Sequence, residues 1–484
     1  MTNSIPEPLM ATSIDATPMR RAAATLALAL ALGGCASLLQ DKGFEEVRGN
    51  APGPLRNDVR WLKTDQQAQE AEAETSALLK EPLTIDTAIK VALLNNRGLQ
   101  ARYNELGLSA VALVKTITPP NPGFSYGRTD QGGLIEIERR FSLDLLGLLT
   151  LPMAASIEER RWEQAKLRAS DQILQIIAET RRAYFKAVAA QQILAYVDQV
   201  RTAAQTSADL ARRLGQAGTF SKLTQAREIA FYADVMAQFG RARQSANAER
   251  ERLTRVLGLW GPNAAYRLAD RLPDVPKELP EQTDIEAAAI AQRLDIRMAR
   301  IEVEGLARSY GLTQATRFVN VLEGSYLNTT ATGEPKKTGY EIDLSIPIFD
   351  FGTTRVAEAE NVYLQAANRL AELAVNARSE VREQYDFHRI NHELATHYLA
   401  TVVPMRKAIS EENILRYNGM LISTFELLAD TREQIAAVVA AIEAQRDFWV
   451  SDADLQTALL GGTRGIAEGG GSKSLVMTNA KPGH

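Results

Sequence analysis

The chain has 484 residues, of which 45% are hydrophobic and 24% are charged, as in folded proteins. Its formal net charge of −4 offers no basic surface, which argues against nucleic-acid binding. Only 6% of the residues are aromatic, and Ala, Gln, Glu, Arg and Leu dominate the middle of the chain, a composition typical of long helices and coiled coils.

The N-terminal region contains a short apolar run that ends at Cys35, the one cysteine of the sequence. Arg20 and Arg21 precede the run, which covers residues 22–32 and is too short to span a bilayer. This order of charges, apolar residues and small residues indicates a signal peptide. It also resembles a bacterial lipobox, which implies that Cys35 is lipidated and begins the mature chain; the alternative is an ordinary signal peptide with an incidental cysteine. The residue after the cysteine is Ala36 rather than aspartate, which by resemblance to the sorting of bacterial lipoproteins favours the outer membrane.

Residues 36–80 are polar and contain a Pro-Gly-Pro sequence, which predicts a tether or a wrapping segment. Residues 83–113 have helical periodicity, with Thr84 or Asp86 as the N-cap. Three prolines then end this helix. Two strands are predicted next, at 124–128 and 134–145, on either side of a turn-rich segment.

Residues 153–214 predict one continuous helix without internal Pro or Gly, roughly 90 Å long at 1.5 Å per residue. Such a helix cannot bury itself, so we expect other helices to run alongside it. Gly215, Gly218 and Ser221 mark a turn, with Ser221 as the N-cap of a second helix over 222–257.

The same order of elements then recurs after a proline-containing linker. A helix is predicted over 284–313, strands over 318–328 and 339–349, and a long helix over 353–418 that Pro404 should kink or disrupt. A final helix, capped within Ile422-Ser423-Thr424, runs to about residue 460. An offset of roughly 200 residues relates the halves, which indicates duplicated domains.

The period of the sequence changes within residues 339–367. Alternating apolar and polar residues over 340–349 predict a strand with one wet face. Pro347, Asp350 and Gly352 follow, and apolar residues then recur at helical spacing. The string SIPIFDFGTTRVAEAE resembles the strand-to-helix junction of the TolC-like outer membrane efflux protein family. The turns GTFSKLTQA and LISTFELLA are similar to that family's helical turns.

The resemblance covers nearly the whole mature chain and implies a mostly α, α+β fold with a duplicated strand-pair and long-helix repeat. Four strands cannot cross a membrane alone, because their edges would leave backbone groups unsatisfied in lipid. The resemblance implies that three chains form a twelve-stranded transmembrane β-barrel, continued by a periplasmic α-helical coiled-coil barrel. The sequence departs from the family pattern at Leu421, where glycine is expected, and at 139–144, which lacks the Pro and Phe of the second half.

The resemblance also implies the roles of particular positions. The two strand-to-helix junctions, at 143–152 and at Pro347, Asp350 and Gly352, lie where barrel meets tunnel. The tunnel-tip turns contain Gly218, Ser221, Gly419 and Thr424. An acidic entrance ring is expected at Glu426 and Asp430, four residues apart on one helical face. The alternative is a solvated acidic face.

No catalytic motif, phosphate-binding loop or cofactor motif is found. His392 and His397 resemble the HExxH motif with one residue too many. His388 and His392 share a helical face and could bind a metal, but without a third ligand in the pattern we expect solvated helix residues. The sequence therefore predicts no enzyme, no metal and no cofactor.

The resemblance implies a passive outer membrane exit duct of a Gram-negative bacterium, lipid-anchored and mostly periplasmic. Its expected partners are two further copies, a periplasmic adaptor, an inner membrane pump and outer membrane lipid, without nucleic acid. The alternative is a periplasmic coiled-coil structural lipoprotein without a pore. The predicted organisation is a signal peptide (1–34, with Met10 and Met19 as alternative starts), a tether (35–82), a first repeat (83–262), a linker (263–282), a second repeat (283–460) and a disordered tail (461–484).

Overall fold

The computed structural model describes residues 41–280 and 284–461. The predicted signal peptide, the predicted lipidation site Cys35 and residues 462–484 of the predicted tail lie outside this part of the chain. The described residues are mostly helical and include one antiparallel sheet. None of the described helices combines the length and apolar character that a bilayer-spanning helix needs.

The elements of the two halves follow one another in the same order from α3 onward. The first half contains α1 (Phe44–Gly49), α2 (Asp65–Leu78), α3 (Ile85–Asn95), α4 (Arg97–Ile117), β1 (Gly123–Gln131), β2 (Leu134–Asp144), α5 (Leu145–Gln216) and α6 (Lys222–Leu257). The second half contains α7 (Ile285–Gln292), α8 (Leu294–Ala315), β3 (Val321–Ala331), β4 (Lys337–Ser345), α9 (Thr353–His397), a π-helical turn (Tyr398–Val402), α10 (Val403–Asn418) and α11 (Thr424–Leu460).

The prediction of a single helix at the start of each half is wrong, because each predicted helix is divided into two helices. Asn96 leaves the helical conformation with a ψ of 108°, and its side-chain oxygen accepts a hydrogen bond from the Leu99 amide at 3.1 Å to begin α4. Arg293 breaks the second half in the same way, with a ψ of 125°. Thr84, not Asp86, is the N-cap of α3, in a capping box with Thr87.

Each break contacts the glycine that ends the last helix of its half. Gly258, with a φ of +67°, ends α6, and a Cβ on it would lie 2.7 Å from the Asn95 carbonyl oxygen. Gly461, with a φ of +102°, ends α11, and a Cβ there would lie 2.6 Å from the Leu294 amide nitrogen. The duplication therefore extends to the close packing of these backbones.

The N-terminal segment lies against the repeat helices. Phe44 and Trp61 pack with Tyr103 of α4, with ring centroids 4.9 to 6.4 Å apart. Lys166 of α5 is buried and its Nζ contacts a carboxylate oxygen of Glu46 at 2.5 Å. The main hydrophobic core forms here, between this segment, α3, α4, α5 and the end of α6.

The long helices run beside one another, as the sequence predicts for elements that cannot bury themselves. Helix α5 has 72 residues, roughly 110 Å, and packs against α6, α8 and α11. It begins at Leu145 rather than at residue 153, so Pro152 lies inside it. The disruption predicted at Pro404 is confirmed, because a π-helical turn separates α9 from α10 immediately before that proline.

Candidate functional site

The four strands form one sheet in the order β1-β2-β3-β4, with every neighbour antiparallel. The pairing of β2 with β3 joins the two halves of the chain. The strands contain 9, 11, 11 and 9 residues. Within the described residues the outer edges of β1 and β4 have no strand partner, so their outward N–H and C=O groups lack the hydrogen bonds of a sheet.

One row of the sheet is aromatic on all four strands. Phe124 is opposite Phe141, Phe141 is opposite Tyr326, and Tyr326 is opposite Tyr340. The Phe124 and Phe141 ring centroids lie 4.8 Å apart, which places both rings on one face. All four side chains are at least half exposed, and Tyr340 is 84% exposed. This face continues along β4 with Ile342 and Leu344, so it presents an apolar band.

The opposite face of the sheet is charged. Arg140 of β2 and Glu341 of β4 form an ion pair at 3.2 Å, and Glu323 is opposite Asp343 in the β3–β4 register. Because side chains alternate across a strand, these residues lie on the face opposite the aromatic row. The sheet therefore separates an apolar surface from a polar one.

An arginine interrupts the apolar face in the middle of β2. Arg139 lies two residues from Phe141 on the same face, and its guanidinium approaches the side chains of Asn328 and Thr330 at 3.5 and 3.2 Å. Arg139, the central residue of β2, is thus paired with polar side chains of β3.

The second-half junction is a turn built around Asp350 and Gly352. The strand ends at Ser345, so the predicted extension to residue 349 is wrong; Pro347 has no amide hydrogen for a sheet, and its carbonyl accepts the Phe351 amide at 2.8 Å. An oxygen of the Asp350 carboxylate accepts the Gly352 amide at 3.0 Å. Hydrogen bonds from Thr354 and from Gly352 lower the pKa of Asp350, so this carboxylate is ionised at neutral pH.

Gly352 is required by its conformation and by its surroundings. Its φ is +69°, and a Cβ on it would lie 2.3 Å from the Arg317 carbonyl oxygen. Arg355, one turn further on, contacts the Asn320 side chain at 2.9 Å and the Thr316 carbonyl at 3.0 Å. These contacts of Arg355 were not predicted from the sequence. Its position shortly after Pro347, Asp350 and Gly352 was the one feature that could have indicated a role in the junction.

The first-half junction has no such turn. Asp144 is both the last residue of β2 and the N-cap of α5, and its carboxylate accepts the Gly147 amide at 2.8 Å. This direct passage from strand to helix accounts for the absence, after residues 139–144, of a turn like that of residues 347–352. Pro152 belongs to α5 and not to the junction.

The two turns at the far ends of the long helices share one geometry. Ser221 caps α6 by accepting the Thr224 amide at 3.1 Å, and Ser423 caps α11 by accepting the Glu426 amide at 3.3 Å. The left-handed residue three positions earlier is Gly218 in the first turn, with a φ of +80°, and Met420 in the second, with a φ of +61°.

The sequence comparison of these turns is therefore corrected by one residue. Ser423, rather than Thr424, corresponds to Ser221, and Thr424 is the first helical residue. Met420, rather than Leu421 or Gly419, occupies the position of Gly218. The structure places Gly419 at the end of α10 with a φ of −78°.

Glu426 and Asp430 lie in different environments. Glu426 is exposed and its carboxylate accepts the Ser423 amide at 2.7 Å, which completes a capping box. These hydrogen bonds from Ser423 lower the pKa of Glu426, so it carries a negative charge at neutral pH. Asp430 is only 7% exposed, and one of its carboxylate oxygens is buried without a hydrogen-bond partner. Of these two carboxylates, only that of Glu426 is therefore open to solvent in the single chain.

The expectation that the histidines are solvated is wrong for His388. This side chain is 7% exposed and stacks on Phe448 of α11 with 5.1 Å between ring centroids. His392 is bonded through Nε2 to the Pro276 carbonyl oxygen at 2.7 Å. Across residues 41–280 and 284–461, no group of three or more His, Cys, Asp or Glu side chains could hold a metal ion.

No family model and no curated protein matches the chain. Solved structures do match it, and among them is the outer-membrane channel OprN, with a TM-score of 0.67 and 19% identity over 80% of this chain and 92% of that one. A structure of CusC, from work on its folding and transmembrane channel formation, has a TM-score of 0.65 and 16% identity over 78% of this chain and 92% of that one. The CmeC outer membrane channel of Campylobacter jejuni has a TM-score of 0.61 and 16% identity over 82% and 86%.

These likenesses extend over more than three quarters of this chain. At such low identity they establish the fold. The chain has the TolC-like fold of the outer membrane efflux channels.

Proposed function

We propose that the protein is the outer membrane exit duct of a tripartite efflux or secretion system in a Gram-negative bacterium. Three copies close a twelve-stranded barrel in the outer membrane, and their long helices continue it as a coiled-coil tunnel into the periplasm. The duct is passive, and an inner membrane pump reached through a periplasmic adaptor supplies the energy. The channel descriptions of the solved structures with this fold support the proposal.

One observation carries this proposal: the sheet has an apolar face, a charged face and two unpaired edges. Strands of 9 to 11 residues match the length of a tilted transmembrane strand. The aromatic row suits a membrane interface, and the charged face suits a water-filled lumen. Pairing β4 of one copy with β1 of the next satisfies both edges, which a bilayer requires.

The remaining positions take their roles from this arrangement. The junctions at Asp144 and at Pro347, Asp350 and Gly352 lie where barrel meets tunnel. We propose that the turns containing Gly218, Ser221, Gly419 and Thr424 form the tunnel tip. Lipidation at Cys35 then adds an anchor in the outer membrane. In this arrangement no cofactor and no enzymatic step are needed.

We further propose that Glu426, repeated by three-fold symmetry, contributes negative charge at the tunnel entrance. Its carboxylate is exposed and ionised. Asp430 lies one helical turn further along α11 and is buried within its own chain, so in the single chain it is the less accessible of the two candidates.

The test is electrical conductance of the purified protein in a planar lipid bilayer. The proposal predicts discrete channels that prefer cations. Glu426→Gln removes the charge while a glutamine can still complete the capping box, so it should lower the cation preference and leave thermal stability unchanged. The double variant Glu426→Ala with Asp430→Ala should lower it further.

Two results would count against these proposals. An absence of discrete channels would favour a periplasmic structural lipoprotein without a pore. If channels form but the wild type, Glu426→Gln and the double variant all have the same cation preference, the proposed duct stands and the proposed acidic ring is contradicted.

A further inference from the structure

Residues 272–280, here called the linker strap, cross α9 and α11 on the way from the first half to the second. Gln445 and Trp449 of α11 both donate to the Pro273 carbonyl oxygen, at 2.6 and 3.0 Å. His392 of α9 is bonded to the Pro276 carbonyl oxygen at 2.7 Å. Because a carbonyl oxygen only accepts, Nε2 of His392 must carry a hydrogen. Three side chains thus hold the strap by two backbone carbonyls.

A second histidine lies next to this contact. His388 is one helical turn from His392, is 7% exposed and stacks on Phe448, which is 1% exposed. The Nδ1 atom of His388 is buried and has no hydrogen-bond partner. The His392 ring meets the edge of the same Phe448 ring, with centroids 5.6 Å apart. Phe448 therefore positions both histidines.

The surroundings favour the neutral form of His388. Burial lowers its pKa, the charge of Asp452 opposes this, and the proximity of His392 lowers it further. Protonation of Nδ1 would create a buried N–H without an acceptor, in addition to a buried charge. As the pH falls below the ordinary histidine value of about 6.5, the packed position of His388 loses stability relative to an exposed one.

A cavity of about 490 Å³ lies between the strap, α9 and α11 and gives His388 a route to solvent. The charged and titratable groups that line it with the two histidines are Tyr385, Arg389 and Glu393 of α9, Asp452 of α11 and Glu278 of the strap. Arg181 of α5 approaches the Asp452 carboxylate at 3.9 Å, so the charge of Asp452 is already shared with a cation.

We propose that His388 and His392 form a pH-sensitive clamp that holds the linker strap on α9 and α11. Neutral His388 stays stacked on Phe448 and supports the ring of His392 against the Pro276 carbonyl. Protonated His388 moves into the cavity to reach water, Phe448 loses its partner, and the His392 contact with the strap loosens. Acidification thereby loosens the linker strap where it crosses α9.

The test is hydrogen exchange of the backbone amides of residues 272–280, measured by mass spectrometry on the full-length protein in detergent at pH 8 and pH 5. After correction for the intrinsic pH dependence of exchange, the clamp predicts at least about tenfold faster exchange in the strap at pH 5. In His388→Phe, which keeps an aromatic ring on Phe448 and cannot be protonated, exchange should be the same at both values.

Three further variants separate the clamp from other causes. His392→Phe should expose the strap at both pH values, since the bond to Pro276 is lost. His397→Phe, an exposed histidine on the same helix, should behave as the wild type. Asp171→Asn removes another group that titrates near neutral pH and should also leave the response intact.

The clamp is overturned if the wild-type strap is equally protected at pH 8 and pH 5. It is also overturned if His388→Phe retains the wild-type response. Where the phenylalanine variant does not fold, His388→Leu provides the same comparison, because leucine is apolar, fits within the histidine site and cannot be protonated.

Discussion

At the scale of single residues, Gly352 is a position in the junction turn that does not tolerate a side chain. Both its left-handed conformation and the adjacent Arg317 carbonyl oxygen exclude a side chain. Gly352→Ala should therefore lower the free energy of unfolding by about 2 kcal/mol or more, since the left-handed conformation alone costs an alanine about 1 to 2 kcal/mol. Thermal unfolding followed by circular dichroism measures the change.

Gly311 of α8 provides a matched control. It is helical, and no atom outside the neighbouring backbone of its own helix lies within 4 Å of the position that its Cβ would take. Gly311→Ala should be neutral or should stabilise by about 0.5 to 1 kcal/mol. Equal melting temperatures for the two variants would show that the tight turn at the junction is not needed for stability.

Asp171 of α5 is a carboxylate in an unfavourable place. Burial raises its pKa to about 7, and the charge of Asp295 adds to this, while a hydrogen bond from Gln175 opposes it. It lines a cavity of about 690 Å³ between α4, α5, α8 and α9. Between the unfolded value of 3.8 and about 7, only the folded chain retains this proton, so stability falls as the pH rises through this interval.

Asp171→Asn should remove that pH dependence, because an amide keeps the shape of the carboxyl group and has no charge. Above pH 7 the variant should be more stable than the wild type by about 2 kcal/mol, less than the full linkage value because the carboxylate retains some solvent contact. Thermal unfolding at pH 5 and pH 8 tests this. A variant that is less stable than the wild type at pH 8 would contradict it.

At the scale of the elements, the N-terminus of α11 depends on its capping box. Ser423 and Glu426 exchange hydrogen bonds between side chain and backbone. Ser423→Ala should destabilise the first turn of α11 by about 1 kcal/mol, seen as about fivefold faster hydrogen exchange of its amides. Thr424→Ala should have no such effect, because Thr424 is not the cap. The reverse order would restore Thr424 as the capping residue.

Local signals were sufficient to predict several elements closely. Helix α6 was predicted at its observed bounds, because a serine cap precedes it and Gly258 ends it. The breaks at Asn96 and Arg293 were missed, because helical periodicity continues through both. At Arg293 the break depends on distant contacts: its buried guanidinium reaches the Glu380 carboxylate at 2.9 Å and the Ala458 carbonyl at 2.8 Å.

The burial of His388 could not be read from the sequence either. The residues three and four positions from it on α9 are polar (Gln384, Tyr385, Asn391 and His392), and the aromatic ring that stacks on it, Phe448, is sixty residues further along the chain, in α11. The pairing of β2 with β3 and the aromatic row have the same origin, because the register of distant strands decides which side chains meet. The alternation over residues 340–349 and the two strand pairs were predicted, but the pairing of β2 with β3 was not.

At the scale of the whole molecule, the two faces of the sheet should respond differently to the same charge. Ile342→Arg places an arginine on the apolar face, which costs about 2 to 4 kcal/mol near the centre of a bilayer. The variant should therefore reach the outer membrane fraction in strongly reduced amounts. Asp343→Arg, the next residue on the charged face, lies opposite Glu323 and should insert as the wild type does. Immunoblotting of separated membranes measures both.

If both arginine variants inserted equally well, the apolar face would not be a lipid contact. If Asp343→Arg alone were lost, the two faces would have to be exchanged. Either outcome would contradict the assignment of the apolar face to the lipid and of the charged face to the lumen, on which the proposed barrel depends.

The proposed duct requires three copies of this chain. The mass of the detergent-extracted, purified protein, measured by light scattering with the detergent contribution subtracted, tests this most directly. A duct should give a particle of three chains, and its long helices should give a rod of more than about 100 Å in negative-stain images of the same sample. A monodisperse particle with the mass of a single chain would contradict the duct.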